Sequence, residues 1–313
     1  MRYLLGIDGG GTKTALCAAK VDNVRGNDFS ADDARYAVTT GASWREFGAR
    51  GVAQKLLEAA KDLTADEEIA GVAMGLPCYG ESVEGDSALN TEIARAFGDI
   101  PVYITNDVEV GWAGSLALEP GINIVAGTGS IAFGKDGAGK TYRSGGWGEF
   151  FGDEGSCYWI GRTMLQLFSK QSDGRMPKDQ LYDIIYREFC TSNDFDMIDP
   201  IYENYMPNRK QVASLQLLAK EAALLGAPSA LALYEQAVDE LYLLAMAVYN
   251  KLDFGGKPFK VSYNGGLFKG EELVIPRLAR KLESLGGQLA APRFKAEEGA
   301  VLLANQQFAG RLK

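Results

Sequence analysis

The chain has 313 residues, which suggests two domains, and its 46% hydrophobic and 23% charged residues are the composition of an ordinary globular protein. Its formal charge of −9 argues against nucleic acid or an anionic membrane as the main partner, because both require a basic surface. Histidine is absent, which excludes Ser-His-Asp and Cys-His nucleophiles and imidazole metal sites. Any general base must then be a carboxylate, or else a lysine or tyrosine.

The cysteines lie far apart, without the C-x-x-C spacing of a zinc ribbon or a thioredoxin site. They are Cys17, Cys78, Cys157 and Cys190. Such scattered thiols fit a reducing cytoplasm, and the sequence shows neither a signal peptide nor an apolar run long enough for a membrane helix. We therefore expect a cytoplasmic protein without a membrane partner.

The first third of the chain alternates strands with helices. Strands are predicted at Tyr3–Asp8, Thr14–Ala19, Tyr36–Thr40, Ile69–Met74 and Val102–Thr105. Helices are predicted behind a capping box at Ser43–Glu46, over Ser87–Phe97 and over Val108–Leu118. This alternation indicates an α/β fold.

The second part of the chain opens with a strand, a glycine turn and a strand, at Ile122–Ala126 and Ser130–Phe133. This unit echoes Tyr3–Ala19 and indicates a duplicated architecture without a sequence repeat. Further helices are predicted at Asp153–Phe168, Arg209–Leu225, Ser229–Leu252, Glu271–Leu285 and Glu297–Phe308, with strands at Phe259–Tyr263 and Gln288–Ala291.

The segment Gly134–Thr141 matches the P-loop pattern G-x-x-x-x-G-K-[ST] letter for letter. A phosphate-binding P-loop requires a helix after its lysine, whereas Tyr142–Gly148 contains three glycines and few helix-forming residues. The context is that of a strand, an Asp-Gly turn and a second strand. We therefore predict a β-hairpin here.

Two other glycine turns are candidates for phosphate binding. The segment Asp8–Thr14 lies between two strands, which excludes a Rossmann fingerprint, but glycine amides can approach an anion closely. Thr12 would add a hydroxyl donor, Lys13 a positive charge, and Asp8 a carboxylate for hydrated Mg²⁺. The segment Gly127–Ser130 is a second glycine turn between two strands. Either turn alone could be an ordinary tight turn, but the pair suits a nucleotide between two lobes.

Other residues fit both a structural and a functional role. Asn264–Phe268 follows a strand and could place its backbone against a nucleobase or simply form a turn. Asp107 ends a strand and opens a helix, whose dipole favours its ionised form, so it is either an N-cap or a base. Asp153, which follows Gly145–Gly148, has the same ambiguity. Trp147 is either a core aromatic or the wall of a sugar site.

In their order along the chain, these segments resemble the motifs of the actin/hexokinase/Hsp70 superfamily. The matching segments are Asp8–Thr14 (first phosphate motif), Ile104–Val108 (first connecting motif), Val125–Ser130 (second phosphate motif), Ser262–Phe268 (adenosine motif) and Lys295–Leu303 (second connecting helix). Within the superfamily, the run Gly145–Ser156 closely resembles N-acetylglucosamine kinase and its relatives in the BadF/BadG/BcrA/BcrD ATPase family. The resemblance spans essentially the whole chain.

The resemblance implies an α/β fold of two actin-like, ribonuclease H-like lobes around a central cleft. The first lobe would comprise residues 1–117 and be completed by the helix at 296–313. The second lobe would comprise residues 118–295 and carry a helical insertion. Relatives of this kind are often dimers, so a homodimer is carried over as an expectation.

The resemblance also implies transfer of the γ-phosphoryl group of ATP, with Mg²⁺, to the 6-hydroxyl of N-acetylglucosamine or a close relative. Asp107 would accept the hydroxyl proton, and Asp8 would organise the Mg²⁺ hydration shell. The residues expected to bind ATP are Gly10, Gly11, Thr12, Lys13, Gly127, Thr128, Gly129, Gly265 and Gly266. The residues expected to contact the small amino sugar are Asn106, Asp107, Gly146, Trp147 and Asp153.

Two departures from the family leave the sugar open. An asparagine commonly follows the third strand and the second phosphate motif, where this chain has Gly41–Trp44 and Ile131. Glucosamine and N-acetylmuramic acid are therefore alternative acceptors. An activator of 2-hydroxyacyl-CoA dehydratases would carry a cysteine where Asn123–Ala126 stands, and a ROK-family repressor would need a helix-turn-helix before Asp8. A sugar or nucleotide binder without catalysis also stays open.

Overall fold

The computed structural model describes residues 1–11, 13–269 and 271–312, without the side chains of Glu271, Arg311 and Leu312. The chain divides into two compact units. Unit 1 combines Met1–Pro120 with Ala291–Lys313, and unit 2 comprises Gly121–Ala290.

The strands of the two main sheets are short, and the central ones are largely buried on both faces. In chain order the strands are β1 (Arg2–Gly9), β2 (Lys13–Lys20), β3 (Val24–Arg25), β4 (Asp28–Phe29), β5 (Arg35–Thr40), β6 (Glu68–Leu76), β7 (Val102–Asn106), β8 (Gly121–Ala126), β9 (Ser130–Lys135), β10 (Thr141–Gly145), β11 (Phe259–Asn264) and β12 (Gly287–Leu289).

The helices connect the strands and cover the sheets. In chain order they are α1 (Trp44–Thr64), α2 (Val83–Phe97), α3 (Asp107–Leu116), α4 (Cys157–Ser172), α5 (Gln180–Phe189), α6 (Ile198–Pro200), α7 (Arg209–Ser214), α8 (Gln216–Leu224), α9 (Pro228–Tyr249), α10 (Glu271–Glu283) and α11 (Ala296–Leu312). In the part of the chain that the structure describes, none of the helices is both long and apolar enough to cross a membrane.

The sheet of unit 1 has the strand order β5-β2-β1-β6-β7, in which β1, β6 and β7 are parallel. Alternate residues of β1, namely Tyr3, Leu5 and Ile7, pack into a core shared with α1 and α2. Helix α11 packs on β1 as well, which explains why β1 is a nearly continuous apolar run. The carboxyl ends of β1, β6 and β7 meet at one edge, where ligands bind in α/β sheets.

The sheet of unit 2 has the order β10-β9-β8-β11-β12, in which β8, β11 and β12 are parallel. When the five strands of each sheet are numbered in the order in which they occur along the chain, both sheets have the spatial order 3-2-1-4-5. The predicted duplication of architecture is therefore confirmed. The core of unit 2 is built from apolar residues of its central strands and of α4, α5, α8, α9 and α10.

The segment that matches the P-loop pattern is a β-hairpin, as the sequence predicted. Strand β10 pairs antiparallel with β9, and Thr141 lies opposite Lys135. The buried Asp136 carboxylate accepts the N–H groups of Ala138 at 3.0 Å and Lys140 at 2.9 Å. The lysine of the pattern, Lys140, therefore precedes a strand, and no helix N-terminus follows it at residues 141–145.

The predicted helix Asp153–Phe168 is wrong at its start, because α4 begins at Cys157. Ser156 is its N-cap, and the Ser156 hydroxyl accepts the Trp159 N–H at 3.1 Å. Asp153 lies outside the helix with φ of +58°. The residues before Ser156 thus form a loop, defined here as the aromatic loop, Gly145–Ser156.

The predicted capping box at Ser43–Glu46 is also wrong. Ser43 is the N-cap of α1, but its side chain makes no capping hydrogen bond. Gly48, with φ of +68°, interrupts the helix one turn later.

Helix α5 was not predicted, although a sequence signal for it exists. Leu181, Ile184 and Ile185 form its buried face at helical spacing. Asp179 caps the helix by accepting the Leu181 N–H at 3.0 Å. An acidic cap before an i, i+3, i+4 apolar pattern is the signature that would have found it.

Candidate active site

Two predicted site carboxylates lie at the carboxyl edge of the unit 1 sheet. Asp8 is the penultimate residue of β1, and Asp107 follows β7 directly as the first residue of α3. Strand β6 lies between them, with Gly75 opposite both Asp8 and Thr105 in the strand registers. The parallel arrangement of the three strands therefore brings both carboxylates to the same edge.

Asn106 and Gly75 fix the position of Asp107. Asn106, and not Asp107, is the N-cap of α3, because its Oδ1 accepts the Val108 N–H at 3.2 Å. The Asn106 amide also donates to the Tyr79 carbonyl at 2.7 Å. A methyl group added at Gly75 would lie 2.9 Å from the Asp107 Cα, so only glycine permits this close approach of β6 to α3.

The electrostatic environment of Asp8 is unfavourable to its charge. Burial, and then the negative charges of Asp107 and Glu297, raise its pKa from 3.8 to about 7, while Lys13 opposes the shift. Glu297 is not among the site residues predicted from the sequence. The signal for it was its place at the start of the helix that resembles the second connecting motif. Asp8 thus lies in a site where a cation would relieve carboxylate repulsion.

The first glycine turn is a tight β-hairpin whose backbone is internally bonded. The Gly10 N–H donates to the Lys13 carbonyl at 2.9 Å, and the Gly10 carbonyl accepts the Ala42 N–H at 3.0 Å. The backbone of Gly11 and the side chain of Lys13 are exposed. Thr12, a predicted ligand of ATP, lies outside the described residues. The exposed lysine can meet an anion beside Asp8.

The second and third glycine motifs lie together in unit 2. The turn Gly127–Ser130, defined here as the unit 2 hairpin, joins β8 to β9 and includes Thr128 and Gly129. Gly265 and Gly266 follow β11, the parallel neighbour of β8. Gly265 has φ of +111°, and a methyl group there would lie 2.2 Å from the Ala126 carbonyl oxygen. Glycine is therefore required for the two turns to touch.

The aromatic loop exposes three rings. Trp147 is 70% exposed, and Phe150 and Phe151 are 90% and 70% exposed. The Trp147 and Phe151 ring centres are 6.5 Å apart. Gly146, next to Trp147, has φ of +74° and donates its N–H to the Ser130 carbonyl at 2.9 Å. An exposed aromatic surface of this kind can receive the apolar face of a sugar.

Asp153 is buried within the aromatic loop, with only 4% of its surface exposed. Its Oδ1 accepts the Ser130 N–H at 3.3 Å, and its Oδ2 accepts Arg209 Nη2 at 2.8 Å. Burial raises the pKa of Asp153, partly offset by these two partners. Its φ of +58° lies in the left-handed region, which aspartate adopts more readily than most residues do. This buried carboxylate therefore connects the aromatic loop both to the glycine turn before Ser130 and to Arg209.

Within the described residues, no group of three or more carboxylates and thiols is arranged as a complete metal site. The predicted site residues fall into two groups, one in each unit. Asp8, Gly10, Gly11, Lys13, Asn106 and Asp107 lie in unit 1, and Gly127, Thr128, Gly129, Gly146, Trp147, Asp153, Gly265 and Gly266 lie in unit 2.

Comparison with known proteins finds matches that extend over most of the chain. Residues 5–304 match the sequence profile of the BadF/BadG/BcrA/BcrD ATPase family. An N-acetylmuramic acid/N-acetylglucosamine kinase from Clostridium acetobutylicum is 29% identical over 85% of this chain and 86% of that protein. An N-acetyl-D-glucosamine kinase from Dictyostelium discoideum is 28% identical over 89% of each chain.

Among solved structures, a candidate N-acetylglucosamine kinase from Chromobacterium violaceum has a TM-score of 0.73. It is 24% identical, and the match covers 97% of this chain and 99% of that one. A similarity at this level of identity is evidence of fold. Together with the duplicated sheets, it confirms the expected α/β actin-like ATPase fold.

Proposed function

The chain belongs to the BadF/BadG/BcrA/BcrD ATPase family, and we propose that it transfers the γ-phosphoryl group of ATP to the 6-hydroxyl of N-acetylglucosamine or a close relative. The observation that carries the proposal is the placement of Asp8 and Asp107 at one sheet edge, close enough for Asp107 to raise the pKa of Asp8. The kinases of Clostridium acetobutylicum and Dictyostelium discoideum support an amino-sugar acceptor.

The residues around Asp8 fit a magnesium ion. Its carboxylate is a hard oxygen donor, and its pKa is raised by burial and by two further carboxylates. A bound Mg²⁺ would neutralise charge on the phosphates and on the leaving group. Asp8 would hold the ion through its water ligands, with Lys13 beside it as a second positive charge.

Asp107 is proposed as the residue that receives the proton of the attacking hydroxyl. It stands at the first position of α3, whose N-cap is Asn106, the acceptor of the Val108 N–H. Phosphoryl transfer proceeds through a loose transition state, so the main task of the site is to position the hydroxyl and the phosphate in line. Asn106 would assist by fixing the first turn of α3.

The glycine motifs are proposed as the nucleotide contacts. In unit 1 these are Gly10, Gly11, Thr12 and Lys13. In unit 2 they are Gly127, Thr128, Gly129, Gly265 and Gly266. Backbone amides in such turns can hold phosphate oxygens without a Cβ in the way.

We also propose a homodimer, which light scattering behind a sizing column would test.

The experiment that tests the function is ADP release from ATP and Mg²⁺ with a panel of sugars and a blank without sugar. The panel contains N-acetylglucosamine, glucosamine, N-acetylmuramic acid, N-acetylmannosamine and glucose. We expect release to depend on one or two amino sugars, and this result would also resolve the alternative acceptors. Release equal to the blank throughout would contradict an amino-sugar kinase.

We expect Trp147→Ala to raise the KM for the sugar roughly 10- to 100-fold, because loss of an aromatic wall removes about 1.5–3 kcal/mol of binding. The KM for ATP should stay nearly constant. Phe195→Ala is the matched control, since Phe195 is a 76% exposed aromatic residue of the same unit outside the aromatic loop. An unchanged KM for the sugar in Trp147→Ala would exclude Trp147 from the sugar site.

A further inference from the structure

The aromatic loop and the unit 2 hairpin are joined by hydrogen bonds. The Ser130 carbonyl accepts the Gly146 N–H at 2.9 Å, and the Ser130 hydroxyl donates to the Glu154 carbonyl at 2.6 Å. Directly after the loop, the Cys157 N–H donates to the Gly127 carbonyl at 2.8 Å. The shape of the hairpin therefore depends on where the loop is held.

Asp153 provides the side-chain link between the loop and the hairpin. Its Oδ1 accepts the Ser130 N–H, and a methyl group at Gly129 would lie 2.8 Å from its Oδ2. The carboxylate thus packs directly on the hairpin backbone. Its other hydrogen-bond partner comes from a different part of unit 2.

That partner is Arg209, the first residue of α7, a helix that packs on α4. Arg209 Nη2 lies 2.8 Å from Asp153 Oδ2, and Arg209 Nε lies 3.0 Å from Glu149 Oε2. One planar guanidinium therefore connects the carboxylate on the hairpin to a carboxylate two residues beyond Trp147. Only arginine has donors placed for both contacts at once.

We propose that Arg209 is a positioning residue that couples the aromatic loop to the unit 2 hairpin and makes sugar binding and nucleotide binding mutually dependent. The inference rests on the proposed function, in which Trp147 contacts the sugar and the hairpin contacts the phosphates. Sugar binding that orders the loop would hold Glu149, and Arg209 would pass this restraint to Asp153. Because such coupling is reciprocal, the nucleotide raises the sugar affinity by the same factor.

The test is the Kd of a non-hydrolysable ATP analogue with Mg²⁺, measured by calorimetry with and without a saturating sugar that supports ADP release. In the wild-type protein we expect the sugar to tighten this Kd by about 5- to 150-fold. In Arg209→Gln we expect less than about twofold tightening, with the Kd in the absence of sugar changed by less than about threefold. Arg209→Lys should give an intermediate tightening of the Kd. The lysine ammonium group can keep a contact with one of the two carboxylates, but it lacks the planar fork that lets arginine contact both.

Two further variants make the result specific. Arg187→Gln is the matched control, because Arg187 forms one exposed ion pair with Glu221 at 2.8 Å in the same unit, and it should leave the coupling unchanged. Glu149→Ala removes the contact on the loop side while Asp153 keeps its arginine, so it tests the coupling with little risk to folding.

The proposal is overturned if folded Arg209→Gln and Glu149→Ala both keep the wild-type ratio of Kd values. It is equally overturned if the wild-type Kd for the nucleotide does not respond to a sugar that is phosphorylated. Failure of the proposed function is a separate outcome, because it would appear as ADP release that no sugar increases.

Discussion

Asp107→Asn should lower kcat roughly 10²–10⁴-fold, which is the contribution of a positioned general base. Asparagine has nearly the shape of aspartate, and Asn106 supplies the cap of α3, so the first turn of the helix should persist. What is lost is the group that accepts the hydroxyl proton. The Kd for ATP should change by less than about threefold, because the base acts on the sugar and not on the nucleotide.

Asp183→Asn is the matched control for this substitution. Asp183 is an exposed acid in the first turn of α5, a helix of the same length as α3. As an acid in the first turn it also interacts favourably with a helix N-terminus, so its substitution reports an effect on a helix dipole away from the candidate site. Loss of ATP binding in Asp107→Asn would indicate a structural role, and an unchanged kcat would place the base elsewhere.

The parts of the fold that the sequence predicted well are those determined by local chemistry. The glycine turns after β1 and β8 lie between apolar runs, and such runs form strands on either side of a turn. The poor helix formers after Lys140 likewise exclude a P-loop by themselves. Since both glycine hairpins and the turn at Gly265 are local features, their positions along the chain could be inferred from the residues.

The errors fall where a competing local interaction or a tertiary contact decides the backbone. Asp153 resembles a helix start, but its carboxylate bonds Ser130 and Arg209, and the helix begins after Ser156 instead. Similarly, Asp107 was compared with an N-cap, whereas Asn106 performs that role. An Asn-Asp pair does not reveal from sequence which residue will cap.

Arg209 lies beyond what the sequence could indicate. It is separated from Asp153 by 56 residues, and its neighbours resemble an ordinary helix start. No residue pattern predicts that this arginine meets Glu149 and Asp153, because the contact depends on how α7 packs against α4. Glu297 is a related case, since its effect on Asp8 depends on α11 returning to unit 1.

Asp8→Asn should abolish magnesium-dependent phosphoryl transfer. The same substitution should raise the free energy of unfolding of the ligand-free protein at pH 8. The pKa of Asp8 is raised from 3.8 to about 7, mainly by burial. Between these pH values the folded protein keeps a proton that the unfolded chain has released. The free energy of unfolding therefore falls as the pH rises through this window and stays lower above it.

Removing the charge removes this cost, which is at most about 4 kcal/mol for a shift from 3.8 to about 7. Urea unfolding should show a gain in stability for Asp8→Asn that is larger at pH 8 than at pH 5. Asp179→Asn is the control of opposite sign. Burial opposes its charge, but hydrogen bonds from Ser229, Gln171 and Leu181 together lower the pKa of Asp179, so its loss should destabilise the protein at pH 8.

Thermal unfolding with nucleotide and Mg²⁺ would complete this test. The added ligands should raise the Tm of the wild-type protein more than that of Asp8→Asn, because stabilisation of the folded state grows with the logarithm of the ligand concentration divided by the Kd. If Asp8→Asn instead loses stability at pH 8, Asp8 is a structural anchor of β1. A gain in stability together with a loss of catalysis would mean that the site retains an unfavourable charge because a cation must bind there.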